Sequence, residues 1–397
     1  MTARKRIGLS VIAAASLVLT ACGSSSSSSS SDTTAAAAAT TAASAETTAA
    51  ASADTTAASD TTAASDTTAA PADASSLDTN GDGKVIFGVA AAGPRDDGAY
   101  YQALVDKIDS FSKAHSFEAP IVVDNITAEN AATDIGNLAQ QNVDAIFVGA
   151  SEIADPLADL VTKYPDIFWY CNCGAGYPVT PGLAQSQDDS SEISYSAGYA
   201  TGLLMKAKSA PPTALFLGCC DLPFEKEAYM AYELGLKAVD PSYAIKYVGT
   251  GNFQFDFDNT AGATEAFNAA LASGIGAVYP YLGGALKPIV KLANQNDIIT
   301  MSAGSSKACA DTELKYQIQV AFDAGDYVDT ILKELLAGTF KEGDVRVFHV
   351  GVDPEPGAKI CDPTPDQTTA MADVYKKIAA GDFTAQFGEI KGKAYSG

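Results

Sequence analysis

The chain has 397 residues, of which 47% are hydrophobic and 18% are charged, and this is enough for two ordinary domains. Acidic residues outnumber basic ones by 48 to 25, which gives a formal net charge of −23 at pH 7. Such a chain repels phosphate backbones and anionic membrane surfaces, so its composition excludes a nucleic-acid binder that acts through a basic face. Only an acyl anchor or a receptor could hold it at a membrane.

The first 22 residues have the pattern of a secretory signal. Three basic residues at positions 4–6 precede an apolar stretch over residues 7–21, which is too short to span a bilayer comfortably. Residues 19–22 (Leu-Thr-Ala-Cys) are similar to the bacterial lipobox, in which the cysteine is lipidated and becomes the new N-terminus. We therefore expect residues 1–22 to be a lipoprotein signal peptide with Cys22 as the lipidation site. A simple uncleaved anchor is the alternative.

Residues 23–77 consist largely of Ser, Thr and Ala with scattered acids, and include a six-residue repeat. The Ser and Thr side chains compete for backbone hydrogen bonds, and no apolar stripe recurs at helical spacing. The composition therefore predicts a disordered linker.

Beyond this linker, short β-branched runs alternate with amphipathic helices. The first series has strands at 84–90, 121–123, 145–149 and 167–170, with helices at 100–115, 129–141 and 155–163 between them. The second has helices at 195–206, 225–239 and 261–273 and strands at 214–218, 245–248 and 277–281. The pattern is typical of parallel sheets covered on both faces, so two α/β lobes are predicted. Ligands of such sheets bind beyond the carboxyl ends of the strands.

Most catalytic and metal-binding signatures are missing from the sequence. There is no phosphate-binding loop, His-Glu-x-x-His, Cys-x-x-Cys or complete Gly-x-Ser-x-Gly motif. His115 and His349 have no Cys or carboxylate at ligand spacing, which predicts surface or packing roles. The segment that starts at Asp78 matches the opening of a calcium loop, but Val89 stands where a bidentate Glu is needed. We expect no catalytic residue, cofactor or resident metal.

Six cysteines follow Cys22, and an even number in an exported protein favours disulfides with fifteen possible connectivities. A metal site and buried free thiols are the alternatives. These cysteines are Cys171, Cys173, Cys219, Cys220, Cys309 and Cys361.

The loops after the predicted strands hold aromatic, amide and acidic side chains. Flat rings with a few hydrogen-bonding groups suit a small polar ligand that carries a ring or a sugar. These residues are Asp96, Asp97, Tyr100, Tyr101, Gln102, Asn252, Phe253, Phe255, Tyr279 and Tyr281.

Two stretches carry a resemblance to a known family. Residues 93–102 (Gly-Pro-Arg-Asp-Asp-Gly-Ala-Tyr-Tyr-Gln) are similar to an Asp-x-Ser-Phe-Asn-Gln loop, and residues 192–202 (Glu-Ile-Ser-Tyr-Ser-Ala-Gly-Tyr-Ala-Thr-Gly) are similar to a Glu-x-Ser-Tyr-Leu-Ala-Gly-x-Ala-Ala-Gly helix. Both motifs belong to the basic membrane protein family of ABC-transporter substrate-binding lipoproteins, which includes purine-nucleoside receptors. Shorter matches lie at 163–166, 232–241 and 378–383.

The resemblance implies the type I periplasmic-binding-protein fold, with two Rossmann-like lobes joined by a three-crossover hinge. The N-terminal lobe would comprise residues 78–187 and 304–345, and the C-terminal lobe residues 188–303 and 346–397. The crossovers would lie near Gln187, Gly304 and Val345. On this topology three cysteines fall in each lobe, so we expect at most one disulfide within each.

The resemblance further implies an extracytoplasmic receptor that captures a nucleoside-like or sugar-like solute and passes it to an ABC permease. A sensory or adhesive lipoprotein is the first alternative. The second is a hydrolase that uses carboxylates from Asp96, Asp97 and Glu152.

The family loop maps onto Asp97, Tyr100 and Gln102 as ligand contacts, while the family's Gly-Val-Asp-Ser-Asp segment is replaced by residues 300–304. Because Ser302 and Gly304 stand where the family has ribose-binding acids, the ligand's identity stays open. The full set of predicted ligand-binding residues is Asp97, Tyr100, Tyr101, Gln102, Ser151, Asn172, Phe253, Tyr281 and Asp323.

Overall fold

The computed structural model describes residues 74–97, 100–174 and 176–396. The predicted signal peptide, the lipidation site at Cys22 and almost all of the predicted linker lie outside these described residues. Within them, no helix is long and apolar enough to cross a membrane.

Strands and helices alternate along most of the described chain. The strands are β1 Phe87–Ala91, β2 Ile121–Val123, β3 Ala145–Gly149, β4 Phe168–Asn172, β5 Leu183–Asp188, β6 Thr213–Gly218, β7 Ala244–Gly249, β8 Ala277–Pro280, β9 Ile299–Thr300, β10 Ile318–Ala321, β11 Val345–Phe348 and β12 Gly357–Ile360. The α-helices are α1 Tyr100–Ala114, α2 Ala131–Leu138, α3 Leu157–Lys163, α4 Ser190–Lys208, α5 Pro223–Val239, α6 Thr260–Ala272, α7 Leu286–Gln295, α8 Ala324–Leu336, α9 Pro365–Ala379 and α10 Thr384–Ala394. Short 3-10 helices span Ala74–Leu77, Ser151–Ile153 and Ala308–Ala310.

The first sheet has six parallel strands in the order β11-β5-β4-β3-β1-β2. Strands β1 and β3 are buried along their whole length, which explains their continuous apolar runs. Residues of α2 and α3 pack in one core cluster of this sheet, and residues of α1 and α8 pack in another. The second sheet is a parallel β7-β6-β8-β9 array, with its own core clusters formed by α4 and α5 and by α6 and α7.

The α/β class and parallel sheets predicted from the sequence are confirmed. Strand β5 was not expected, because its sequence Leu-Ala-Gln-Ser-Gln-Asp lacks an apolar run. Helix α4 begins at Ser190, five residues before the predicted start. The carboxylate of Asp189 accepts a hydrogen bond from the Glu192 N–H at 3.2 Å, so this residue caps the helix earlier than the apolar pattern indicated.

The pairing of β10 places this strand beside the second sheet, whereas the predicted lobe boundaries placed it in the N-terminal lobe. Residues 304–345 were assigned to the N-terminal lobe, but β10 pairs antiparallel with β12, and Met301 bridges to Ile318 beside the second sheet. The chain then returns to the first sheet through α8, which packs on α1, and through β11, which pairs with β5. The connections between the two groups therefore follow Asp188, Ala321 and Phe348. The first and last lie within three residues of the predicted positions Gln187 and Val345, whereas the second follows Ala321 rather than lying near Gly304.

The six cysteines form three disulfides, which join Cys171 to Cys173, Cys219 to Cys220, and Cys309 to Cys361. The prediction of at most one disulfide within each lobe is wrong. It placed Cys309 in the N-terminal lobe, whereas the β10–β12 pairing brings Cys309 and Cys361 together, with Cα atoms 5.0 Å apart.

Candidate functional site

The carboxyl ends of the two sheets face each other. Asp188 ends β5 in the first sheet. Burial is the main cause that raises the pKa of Tyr279 in β8 and of Tyr281 just after it, and the negative charge of Asp188 adds to the effect. Asp258, in the loop after β7, acts in the same way on the pKa of Tyr101 at the start of α1. These cross-sheet interactions place the loops that follow the strands on opposite sides of one site.

Tyr100 and Asn172 form one wall of this site. The Tyr100 hydroxyl donates to the Asn172 main-chain oxygen at 3.1 Å, and the N–H of Ala150 donates to the same oxygen at 3.3 Å. The Asn172 side-chain oxygen accepts from the Ser186 hydroxyl at 3.2 Å. Its Nδ2 group is buried and has no hydrogen-bond partner among the described residues. This wall therefore offers an unused amide donor.

Asp97 occupies the loop before α1. Its carboxylate accepts hydrogen bonds from the N–H of Tyr101 at 3.2 Å and from the N–H of Gln102 at 3.0 Å. The side chain of Gln102 donates along the helix to Asp106 at 3.4 Å. Asp97 thus satisfies N–H groups in the first turn of the helix. If it also contacts a ligand, the same carboxylate has to serve both purposes.

Glu152 lies in the loop after β3, next to the predicted site residue Ser151. Its carboxylate interacts with the Tyr101 hydroxyl, and burial raises its pKa above the ordinary range. The residue before this loop, Ala150, has a positive φ of 100°, which non-glycine residues rarely adopt. Strained backbone of this kind is concentrated at functional sites.

Asp188 is a site residue that the sequence did not reveal. The Tyr327 hydroxyl donates to its Oδ2 at 3.2 Å, and the Tyr327 ring stacks on Phe348 with centroids 4.4 Å apart. Burial is the main cause that raises the pKa of Asp188 to about 7, with smaller contributions from Asp189 and Glu227. The sequence feature that could have indicated this residue is the pair of adjacent acids at 188 and 189, just before the family motif at 192–202.

Aromatic rings line the opposite wall. Tyr281 stacks with Phe216 at 5.5 Å and with Phe322 at 5.8 Å between ring centroids, while Tyr279 lies 5.6 Å from Tyr281. Tyr279 is fully buried, and its hydroxyl has no hydrogen-bond partner among the described residues. This wall therefore has a flat apolar surface, with one unpaired hydroxyl buried beside the Tyr281 ring.

Phe253 and Asp323 have other environments. The Phe253 side chain is 69% exposed, and together with residues 220–223 it lines a depression of about 450 Å³. Asp323 caps α8 by accepting from the Gly325 N–H at 2.9 Å, and the Ser306 hydroxyl donates to it at 3.4 Å. Asp323, which was predicted to bind the ligand, therefore uses its carboxylate to cap α8 and to bond to Ser306.

Asp189, Glu192 and His349 form a cluster where two of the connecting segments meet. Their potential ligand atoms lie within 4.8 Å of one another, close enough for a metal ion. However, Lys391 Nζ lies 2.6 Å from Asp189 Oδ2, and the Val350 N–H donates to Glu192 Oε2 at 2.9 Å. These contacts pair the carboxylates within the protein, so the cluster serves to link the segments.

Solved structures identify the class of fold. The chain is similar to an ABC transporter solute-binding protein from Conexibacter woesei DSM 14684, with 19% identity, TM-score 0.55 and coverage of 75% of this chain and 97% of that one. A solute-binding protein from Aeropyrum pernix K1 matches with 15% identity, TM-score 0.57 and coverage of 79% and 91%. A transcriptional activator of the comK gene from Bacillus halodurans matches with 15% identity, TM-score 0.58 and coverage of 75% and 98%. At these identities the likeness shows the fold alone, which is that of type I periplasmic binding proteins.

The family follows from the sequence match. Residues 84–351 match the Bmp family, described as PnrA-like ABC transporter substrate-binding proteins. The chain therefore belongs to this family, which confirms the resemblance found in its motifs. No curated protein matches the chain. Family and fold are those of proteins that bind small solutes outside the cytoplasm and deliver them to ABC permeases, rather than those of enzymes.

Proposed function

We propose that this protein is a lipid-anchored receptor of an ABC importer and captures a nucleoside-like or sugar-like solute between two closing lobes. The observation that carries the proposal is the pair of walls at the carboxyl ends of the two sheets. One wall offers the unused Asn172 amide, and the other offers the ring of Tyr281 and the unused Tyr279 hydroxyl. Rings with a few unpaired polar groups suit a small planar or hydroxylated solute.

The two lobes would be the first sheet with α1, α2, α3 and α8, and the second sheet with the remaining helices. The three connections after Asp188, Ala321 and Phe348 would act as the hinge, since a few residues at element ends can absorb the rotation. The Glu192–His349 contact, at 3.2 Å, joins two of these connections near their ends. Small-angle scattering should show a smaller radius of gyration at saturating solute, and an unchanged radius would contradict hinge closure.

Within this site we propose that Tyr100 and Tyr281 contact the ring of the solute and that Asn172 Nδ2 donates to it. Tyr101, Gln102, Ser151 and Phe253 remain proposed contacts at the rim. Two of the three carboxylates of the hydrolase alternative are engaged within the protein, because Asp97 caps α1 and the Glu152 carboxylate interacts with the Tyr101 hydroxyl. This favours binding over hydrolysis.

The anchor is proposed to be a lipid on Cys22, with residues 23–77 as a linker. The support is the lipobox-like sequence Leu-Thr-Ala-Cys at 19–22 and the Ser, Thr and Ala composition that follows. Replacing Cys22 with Ala should move the protein from the membrane fraction to the soluble or secreted fraction. Retention of the variant in the membrane, as firmly as the unaltered chain, would contradict lipid anchoring.

A thermal-shift screen of nucleosides, sugars and amino acids tests solute capture. A solute at 100 times its dissociation constant adds about 2.7 kcal/mol to the free energy of unfolding. For any solute found, Tyr281→Ala should weaken binding at least tenfold in calorimetry, which corresponds to about 1.4 kcal/mol. Val179→Ala, at a 71% exposed position that is not among the proposed contacts, serves as a control for loss of an exposed apolar side chain. Failure of every solute class to stabilise the protein would overturn the proposed function, and a permease deletion that leaves uptake unchanged would favour the sensory or adhesive alternative.

A further inference from the structure

The carboxylate of Asp188 has aromatic neighbours on several elements. Its negative charge acts on five tyrosine side chains from several elements, which we call the tyrosine cage. These tyrosines are Tyr100 of α1, Tyr279 of β8, Tyr281 after β8, Tyr327 of α8 and Tyr395 after α10. Only one neighbouring hydroxyl, that of Tyr327 at 3.2 Å, has a hydrogen bond to the carboxylate in the described part of the chain.

The carboxylate of Asp188 has no cationic partner among the described residues. In the described residues, Lys391 pairs with Asp189 and His349 pairs with Glu192, but Asp188 forms no ion pair with Lys, Arg or His. The residue is half-buried and retains some solvent-accessible surface. A carboxylate that is deep among rings and has no cation is costly to ionise, and a positively charged group within hydrogen-bond reach would remove that cost.

We propose that the solute captured by this protein carries a protonated amine or quaternary ammonium group, which pairs with Asp188 inside the tyrosine cage. This inference rests on the proposed solute-binding function and names the class of its ligand. Aromatic faces attract cations through their ring quadrupoles, so the cage and the carboxylate act on the same charged group. The net charge of −23 also attracts a cationic solute towards the site.

The ionisation behaviour of Asp188 supports the geometry. Burial raises its pKa to about 7, so a bound cation would have to displace a proton from part of the population at neutral pH. Among the described residues, the groups whose charges act on it are acidic or phenolic, and the cation beside them, Lys391, pairs with the neighbouring Asp189. The acidic and phenolic groups are Asp189, Glu227, Tyr100, Tyr279, Tyr281, Tyr327 and Tyr395.

The test uses matched pairs of cationic and neutral compounds with the full-length protein. The pairs are choline with 3,3-dimethyl-1-butanol, tyramine with 4-ethylphenol, and putrescine with 1,4-butanediol, and adenosine and glucose serve as neutral solutes. At least one amine should stabilise the protein in thermal shift at pH 7.5, with a dissociation constant at least tenfold lower than that of its neutral partner. The affinity should fall by about tenfold per pH unit below the pKa of Asp188.

Two variants separate this carboxylate from general electrostatics. Asp188→Asn should weaken amine binding at least tenfold, while Asp166→Asn, at an exposed position before β4, should leave it unchanged. If Asp188→Asn does not fold, the pH dependence of the unaltered protein still decides the question. Amine binding that is insensitive to both the variant and pH would overturn the proposal.

The outcome also separates this inference from the proposed function. If adenosine or glucose binds while no amine binds better than its neutral partner, the cation inference is wrong and solute capture stands. If no compound of either kind binds, both proposals fail.

Discussion

Replacing Tyr279 with Phe should make the protein more stable and weaken its binding of solute. The Tyr279 hydroxyl is fully buried and has no hydrogen-bond partner in the described chain. A buried polar group without a partner costs about 1–3 kcal/mol, so its removal should raise the free energy of unfolding by roughly that amount. Natural proteins retain such costs where function requires them.

The matched control is Tyr232→Phe, in the same core cluster. The two rings lie 5.4 Å apart, but the Tyr232 hydroxyl donates to Thr201 Oγ1 at 3.0 Å, and Thr201 in turn donates to the Ala197 main-chain oxygen at 2.7 Å. Removing the Tyr232 hydroxyl therefore loses one hydrogen bond and should lower stability by about 1 kcal/mol. The two substitutions delete the same atom and should shift stability in opposite directions.

Guanidinium denaturation followed by circular dichroism measures both effects. The two variants should differ by about 2 kcal/mol or more in the free energy of unfolding, and Tyr279→Phe alone should weaken solute binding. If Tyr279→Phe destabilises the protein as much as Tyr232→Phe does, the hydroxyl is not an unsatisfied group and this reasoning fails.

Three further predictions concern other parts of the molecule. The pKa of Asp188 in the folded protein, about 7, is raised above its value in the unfolded chain, so its contribution to stability is fully present below about pH 4 and is lost as the pH rises through 7. In urea titrations at several pH values, the free energy of unfolding should therefore decline less with rising pH for Asp188→Asn than for the unaltered protein, and equal declines would contradict this. Glu225→Gln should lower stability by about 3 kcal/mol, because the buried Glu225 carboxylate accepts from the N–H groups of Cys219, Cys220 and Leu222. The control Glu233→Gln, at a half-buried position on the same helix that pairs with Lys237, should cost at most about 0.5 kcal/mol, and similar melting of the two variants would refute the prediction. Asp97→Ala should cost about 1 kcal/mol through loss of the α1 cap, and an unchanged denaturation midpoint would show that the cap contributes nothing.

The sequence by itself determined the elements whose residues are buried along their whole length. Strands β1 and β3 were predicted because fully buried parallel strands require continuous apolar residues, and this requirement is met by neighbouring residues alone. The family motif at 192–202 was likewise readable, since it is one continuous segment of α4. Tyr281 and Asn172 were identified as candidates because they stand at the end of a predicted strand or just after one, whereas Tyr100 was identified by the similarity of residues 93–102 to the family loop.

Tertiary structure alone decided which residues of different segments meet. Asp188 and Tyr327 are 139 positions apart, and the hydrogen bond between them exists because α8 packs against the first sheet, in the same core cluster as β5. Cys309 and Cys361 are 52 positions apart and are joined because β10 pairs with β12, not with a strand of the first sheet. Strand β5 was missed because it has polar residues, and the partners of its glutamines are main-chain oxygens of Pro178 and Tyr177, contacts that only the folded chain provides.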